Sequence, residues 1–575
     1  MIYRLADNVV TPLGATTAEN YQAIKAGCSA LRRYTGRWGI QEPFTASLFS
    51  DEQTAALAVE GLTRFESLAY NSAKSAVHDA AIDVTSSRTV FILSTTKANV
   101  ELLSDDSDED ARYALGAAAR RVATRLGVAT EPIVVCNACI SGVAAIVLAL
   151  RLLDAGIYDD AIICGAEVQC KFTVSGFQSL KAVSETECRP FDIERLGLNL
   201  GEAAATLVVR AGRVGDQRNA GEAWQIVCGA VRNDAFHISS PSKDGEGARL
   251  ALSAVLQNID DMSSLALVNA HGTATMFNDQ MESVAIERAG LSAVPVNGLK
   301  GYFGHTLGAA GILEVVMTMA ALDNHQLLAT RGFEDYGVSG KIKLSSQNAA
   351  TQKSSFIKMI SGFGGGNATL YAKKELLTAF SQQNQAAAPM AKTHTVRLTP
   401  MSLTIDGHDV MVEEEGASLL IWLYKHHVND YPKFYKMDGL SRLGFVASEL
   451  LLKQEGRPRF EVGDGRAVIL FNNSSSIGAD RKYLASIADA DDYYPSPSIF
   501  VYTLPNIVTG EIAMRNLYHG ETSFYITNQR DDQQSWKVVC ASFADAATQS
   551  VLGGWIDYTD DSHFEADLYI AEKLK

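Results

Sequence analysis

Val134-Val135-Cys136-Asn137-Ala138-Cys139-Ile140-Ser141-Gly142 is the stretch from which the rest of the chain is read. A short β-branched run meets Asn137, and the segment ISGVAAIVLALRLLDAG follows, apolar on nearly every side of a helical period and ended by Gly156. A strand and a helix this apolar belong at the centre of a fold. The two cysteines admit different chemistries. As a pair, CxxC is a redox couple or half of a metal site. Alone, Cys139 at the helix start has free backbone N–H groups and the positive helix end aimed at its sulfur, which lowers a thiol pKa and activates a nucleophile. The plainer reading is a small buried core thiol. Cys136 falls inside the strand, and neither Cys164 with Cys170 nor any His pair completes a zinc finger or ribbon pattern. A thioredoxin-type motif also follows a strand and opens a helix, so position alone leaves the redox reading open.

Outward from this junction the same alternation recurs. TVFILS from Thr89 precedes the helical ARYALGAAARRVATRLG, and DAIICGAE follows the central helix. Beyond Ala223, WQIVCGAV and SLALVNAH read as strands, EGARLALSAVLQNI and NDQMESVAIERAG as helices, and SFIKMISGFGGGNATLYAKK as two strands around a glycine turn. Strands separated by helices of this length predict parallel α/β layers. The Gln- and Ala-rich LLTAFSQQNQAAAPMAKTHTV lacks an apolar period, which places a linker at 375–394 between a domain at 1–374 and a second at 395–575.

At 575 residues, with 47% hydrophobic and 20% charged residues, the chain is long and apolar enough for more than one packed core. A net charge of −16 argues against nucleic acid as a partner, because phosphate binding needs a basic surface. The opening MIYRLADNVVTPLGATTAEN lacks a basic region followed by an apolar core, and no segment has the roughly 18 to 20 apolar residues of a membrane span. A cytoplasmic protein is expected. The eight cysteines, uneven in spacing and mostly in apolar runs, read as reduced thiols rather than a disulfide framework.

Two further loops carry reactive side chains. VNAHGTATMFNDQMES puts His271 at a strand end, and NGLKGYFGHTLGAAGILE puts Lys300 and His305 in a glycine-rich loop before a small-residue helix. Each His alone is more often structural. Two His and one Lys at strand ends, in the same layers as Cys139, suggest one pocket assembled from separate loops.

NACISG, AHGTAT, LKGYFGHTLGAAG and SGFGGGNATL, in that order, resemble the β-ketoacyl-[acyl-carrier-protein] synthases of the thiolase-like superfamily, over residues 1–374. VVTPLG and CRPFDIERLGLNLGEAAATLVV add to the likeness. The resemblance implies a layered αβαβα fold and a decarboxylating Claisen condensation. Cys139 would carry the acyl group as a thioester. His271 and His305 would stabilise the malonyl enolate. The backbone N–H groups of Cys139 and Phe363 would form the oxyanion hole, and Lys300, paired with Glu282, would orient His305 and hold it neutral. Thr273, Thr275, Phe363, Gly364 and Gly365 would bind substrate, the threonines through the phosphopantetheine arm that arrives on the carrier protein. No metal or bound cofactor is implied. The implied partners are acyl- and malonyl-loaded acyl carrier protein and a second copy or related synthase. Ser361 stands where the family often has Phe, which bears on gating and acyl preference. A thiolase would need a second cysteine in the final glycine loop, and GFGGGNATL has none.

Two charged groups are read conservatively. Asp192, Glu194, Arg195 and Glu202 look like local ion pairs of a connecting loop. Arg120 and Arg121 look like a solvated helix face, with a weaker reading as a docking patch for an acidic carrier protein.

Residues 395–575 echo the first domain. KMDGLSRLGFVASELLL resembles RFESLAYNSAKSAVHDA, and AVILFNNSSS resembles TVFILSTTKA. IFVYTLPNIVTGEIAMRN falls where the Cys139 segment would be, with Gly510 matched to Gly142 and Ile507 in the nucleophile's place. This predicts a smaller α/β half-domain like the N-terminal half of the same fold, without the catalytic cysteine, docked on a synthase surface. A non-catalytic partner resembling a chain-length factor is the alternative for the chain. Fatty acids, polyenes and pigments stay open as products, with a specialised polyene or pigment pathway favoured because a housekeeping synthase has no evident need of an inactive half-domain.

Overall fold

A computed structural model describes residues 2–103, 111–212, 221–376, 389–489 and 493–574. Three five-stranded units follow one another. The first contains β1 (Ile2–Val10), β2 (Thr89–Ser94), β3 (Ile133–Val135), β4 (Asp160–Glu167) and β5 (Ala203–Ala211). The second contains β6 (Glu222–Asn233), β7 (Leu265–Asn269), β8 (Val296–Asn297), β9 (Ser355–Gly362) and β10 (Gly366–Leu376). The third contains β11 (Met390–Thr399), β12 (Arg466–Asn472), β13 (Thr522–Ile526), β14 (Ser550–Asp560) and β15 (His563–Lys573).

Each unit has one spatial order: its first strand, then fifth, fourth, second and third. In the first unit β1 and β4 flank β5 antiparallel, while β4, β2 and β3 are parallel. In the second, β10 pairs antiparallel with β6 and β9, and β9, β7 and β8 run parallel. In the third, β15 pairs antiparallel with β11 and β14, and β14, β12 and β13 run parallel.

The helices used below are α1 (Arg64–Ala80), α2 (Leu115–Leu126), α3 (Ser141–Asp154), α4 (Lys171–Ser179), α5 (Met276–Arg288), α6 (Ala310–Asp323), α7 (Gly439–Gln454), α8 (Ile477–Ala488), α9 (Pro497–Tyr502), α10 (Ile507–Asn516) and α11 (Asp532–Ser542). The first two units stack with α3 and α6 between their sheets, the layered α/β order expected. Every residue of α3 from Ser141 to Leu153 is buried. The two helices touch backbone to backbone: a Cβ on Gly142 would lie 2.9 Å from Ile312 N, and one on Gly311 would lie 2.5 Å from Val143 N. That contact explains Gly142 of NACISG and Gly311, the last glycine of LGAAG. Among the described residues no helix is long and apolar enough to cross a membrane.

The third unit is joined edge to edge with the first. β13 pairs antiparallel with β3, Tyr525 opposite Val135 and Ile526 opposite Val134. Cys136 N donates to Phe524 O at 3.1 Å, and Phe524 N to Asn137 Oδ1 at 2.6 Å. The edge that leads to Cys139 is thereby satisfied within the chain. α11 packs on α3 and leaves Asp532, Gln533 and Lys537 exposed.

Two expectations for this region need correction. The linker is shorter than 375–394, since β10 reaches Leu376 and β11 starts at Met390; residues 377–388 lie outside the described residues. The run IFVYT, set above against the segment that leads to Cys139, is not the counterpart of β3. Pro497 starts helix α9, and the apolar run buries Phe500, Val501 and Tyr502 on a helix, the ambiguity inherent in short apolar runs. Register decides the counterpart of β3: Ser94 pairs with Val135, and Asn472 pairs with Ile526. Cys139 stands four residues after Val135, and four residues after Ile526 stands Arg530, not Ile507. Arg530 is occupied by Asp532 at 2.8 Å and Asp567 at 2.5 Å.

Candidate active site

Cys139 lies in the 3-10 turn Ala138–Ile140, between β3 and α3. It forms the floor of a cavity of about 360 Å³ whose lining includes His271, His305, Thr273, Thr275 and Phe363. Its sulfur and one ring nitrogen from each histidine lie within 4.8 Å of one another. The helix start does not make Cys139 a thiolate. Burial pushes its thiol up to about 12, the Lys300 charge pulls it down, Glu167 raises it and its own backbone N–H lowers it. At neutral pH the thiol keeps its proton, so attack needs a base, and of the two neighbouring imidazoles His271 is the one whose ring nitrogens are not both committed. Cys136 is in different surroundings: its Sγ donates to Thr96 O at 3.5 Å, and burial raises its pKa too. All eight cysteines are free.

His271 follows β7 and His305 follows α-helical residues Lys300–Phe303, so the strand ends of the second unit deliver both rings. The rings meet edge to face with centroids 4.9 Å apart. Both are held well below the ordinary imidazole value, by burial first and by Lys300 next; His305 and Lys358 add to the effect on His271, and Lys358 to that on His305. Both are neutral at pH 7. Leu307 N donates to His305 Nδ1 at 3.3 Å, which assigns the ring proton to Nε2, an atom buried without a hydrogen-bond partner among the described residues. A neutral N–H donor facing the cavity is what a developing enolate oxygen requires. Cys139, His271 and His305 also have the ligand types of a zinc set, but Lys300 and Lys358 place positive charge beside them.

Lys300 does not pair with Glu282. Its Nζ donates to Glu314 Oε1 at 2.7 Å and to His271 O at 2.6 Å. Glu314, on α6, also pairs with Lys358, whose Nζ reaches Ala270 O at 3.0 Å. Lys300 thus acts on the rings through its charge and through the His271 backbone rather than by gripping His305. Glu282, on α5, accepts from His271 N at 2.6 Å and Gly272 N at 2.7 Å, so the bare N–H groups past the end of β7 claim its carboxylate. Asp279 completes the cradle, accepting from Thr273 N at 3.0 Å and Phe191 N at 2.7 Å. The two threonine hydroxyls then meet at 2.9 Å on the cavity wall.

The β9–β10 turn brings the glycine loop against Cys139. A Cβ on Gly362 would lie 3.1 Å from Cys139 N, so glycine there lets the Phe363 backbone approach the thiol's own N–H. Phe363 and Gly365 line the cavity. Gly364 does not: its N donates to Ile238 O and its O accepts from Asn233 Nδ2, both at 2.7 Å, which turns it away from substrate. Beyond Cys139 a pocket of about 20 Å³ is walled by Phe177, Phe363, Phe500 and Leu504. Phe177 stacks on Phe363 at 6.0 Å and meets Phe500 edge-on at 5.4 Å. Such a space holds about one water-sized group.

Sequence reading passed over Glu314, Lys358, Asn233 and the walls from the third unit. A signal existed for the first two: a lone acid in AGILEVVMTMAALD and a lone cation in SFIKMISG are charges inside buried runs, and buried charges need partners. The loop charges are structural, with Asp192 accepting from Glu334 N and Asp335 N and Arg195 donating to Gly337 O. Arg120 and Arg121 are engaged by Glu131 and Glu66, which weakens the docking-patch reading.

Comparison with known proteins agrees with this site. Family models described as Beta-ketoacyl synthase, N-terminal domain and Beta-ketoacyl synthase, C-terminal domain match residues 6–213 and 225–334, together more than half of the chain. The chain belongs to the β-ketoacyl synthase family, with its thiolase-like layered fold. It is 32% identical over 253 residues to 3-oxoacyl-[acyl-carrier-protein] synthase 2 of Rhizobium meliloti, covering 42% of this chain and 60% of the relative. It is 31% identical over 256 residues to the Vibrio cholerae synthase of the same name, covering 42% and 62%. The match thus spans about three fifths of these relatives' length. A β-ketoacyl synthase from Burkholderia phymatum matches at 25% identity with a TM-score of 0.59, over 65% of this chain and 99% of its own. The PfaC keto synthase-chain length factor matches in fold alone, at 15% identity, over 100% of this chain and 78% of its own, with a TM-score of 0.77.

Proposed function

We propose that the protein is a cytoplasmic 3-oxoacyl-[acyl-carrier-protein] synthase that joins an acyl group on Cys139 to a malonyl unit with loss of carbon dioxide. The convergence of Cys139, His271 and His305 on one cavity floor carries this reading. The acyl thioester on a carrier protein exchanges with the Cys139 thiol, whose proton passes to neutral His271 and on to the departing carrier thiolate. Malonyl-carrier protein then loses carbon dioxide, and the enolate oxygen is held by the histidine N–H groups. The enolate carbon attacks the acyl-Cys139 carbonyl, whose oxygen is held by the N–H groups of Cys139 and Phe363, and Cys139 leaves as a thiolate that takes one proton from solvent.

The threonines of the cavity wall suit a phosphopantetheine arm, so acyl carrier protein is the partner, and the steps above call on no metal or bound cofactor. The third unit is read as a synthase half-fold without a nucleophile, standing in cis where a paired synthase would stand. Its repeated strand order, its Arg530 and its Phe500 beside Cys139 support that reading and a role in product length. A specialised polyene or pigment pathway fits such an appended unit. Eight free cysteines suit a reducing compartment.

Intact-mass measurement after incubation with a panel of acyl-carrier proteins tests the assignment. One acyl group per chain, mapped to Cys139, is the expected result. An unmodified protein with every donor would overturn it.

A further inference from the structure

We propose that Asn506, in the third unit, is a positioning residue for the oxyanion hole, an inference that rests on the condensation reading above. Asn506 precedes α10 as its N-cap, a place where asparagine normally bonds its own helix. Here the side chain makes no cap bond. Its Nδ2 instead crosses to the second unit and donates to Phe363 O at 2.9 Å, with Asn506 only 5% exposed.

The contact is built from both sides. A Cβ on Gly364 would lie 2.7 Å from Asn506 Nδ2, and one on Gly510 of α10 would lie 2.5 Å from Gly364 O, so two glycines let the loop and the helix meet backbone to backbone. The peptide plane after Phe363 is then fixed at both ends, its carbonyl by Asn506 and its N–H by Ile238 O. The next carbonyl, of Gly364, is held by Asn233 Nδ2, which also donates to Thr522 Oγ1 of the third unit at 3.0 Å. Gly364 and Gly365 are in the left-handed region, at φ of 86° and 74°, so the loop has little conformational restraint of its own. Its shape is imposed by these bonds. With the following plane pinned and Gly362 against Cys139, the Phe363 N–H is aimed at the place where a thioester oxygen on Cys139 becomes negative. The third unit therefore serves catalysis as well as covering an edge.

Asn506→Asp keeps the size and removes the donor, and Asn506→Ala removes both. Each is compared with the full-length wild type in three measurements: acyl transfer onto Cys139 by quenched intact mass, carbon dioxide release from malonyl-carrier protein without acyl donor, and the melting temperature. Acyl transfer depends on the Phe363 N–H, whereas carbon dioxide release depends on the histidines. Transfer should fall about tenfold or more in both variants, with carbon dioxide release within about twofold of wild type. Unchanged transfer, or both reactions falling together with the melting temperature, overturns the proposal. A wild type that neither loads acyl nor releases carbon dioxide removes the condensation reading and this inference with it.

Discussion

Lys300 and Glu314 form a fully buried ion pair, Nζ to Oε1 at 2.7 Å, and the same ammonium holds the backbone carbonyl of His271 at 2.6 Å. Lys358 shares the carboxylate, so two cations and one anion lie behind the two imidazoles. Burial is the first reason both rings stay neutral, and this positive charge, which reaches them without touching them, lowers them further.

That arrangement fixes a pH dependence. A neutral imidazole can donate to an enolate without carrying a competing charge, and both rings are held well below 6.5. Carbon dioxide release by the wild type should therefore stay level as pH falls through 6.5. Lys300→Met removes one lowering charge, the imidazole pKa values rise, and the acid limb should move up toward 6.5. An acid limb unmoved in Lys300→Met would contradict the electrostatic role. Glu314→Gln leaves two buried ammonium groups facing each other and should lower unfolding free energy by about 3 to 5 kcal/mol in urea titration.

The thiol makes a second, separate case. With Cys139 pushed up to about 12, its alkylation by iodoacetamide should keep accelerating through pH 9, where a low-pKa thiolate would already have levelled off. Cys139→Ala should abolish acyl loading. Cys136→Ala should keep most of it and lose about 1 kcal/mol of stability, the order of a small buried truncation. Equal loss of activity in both variants, with a Cys136–Cys139 disulfide on mild oxidation, would favour the redox pair instead.

How much of this was legible in the sequence follows from where each constraint acts. VVCNACISG showed its strand, its helix and its central burial because the period and the polarity agree locally. His271, Lys300 and His305 could be gathered because each sits at a strand end in a layered fold. Lys300's partner could not be read, since Glu314 and Glu282 are both acids on nearby helices, and only packing sets which one faces the ammonium. The third unit's repeat was visible, but its register was not. Matching Gly510 to Gly142 put Ile507 in the nucleophile's place, whereas Gly510 is small because it touches Gly364, and the strand pairing puts Arg530 there.

Phe500 closes the pocket behind Cys139 from the third unit. Phe500→Ala should open it, so that longer acyl groups load onto Cys139 at least as fast as short ones and the product distribution shifts to longer chains. A chain-length profile identical to wild type would remove Phe500 from that role.

Deleting residues 390–575 should bare the β3 edge and a wide apolar surface. The truncated chain should aggregate or pair with itself through β3, and should load acyl groups more slowly if it stays folded. A soluble, monomeric truncation with wild-type loading and products would show that the third unit neither supports nor regulates the synthase. A thioester trapped within residues 395–575 would sink the reading of that unit as inactive.

The most direct test is a single turnover. Protein carrying one acyl group on Cys139 is mixed with malonyl-carrier protein, and the acyl-enzyme, carbon dioxide and carrier-bound product are followed together. One carbon dioxide and one β-ketoacyl-carrier protein should form for each acyl group lost from Cys139, with both products severely slowed in His271→Ala and His305→Ala. Acyl loss by hydrolysis without carbon–carbon bond formation, or β-ketoacyl product from Cys139→Ala, would contradict it.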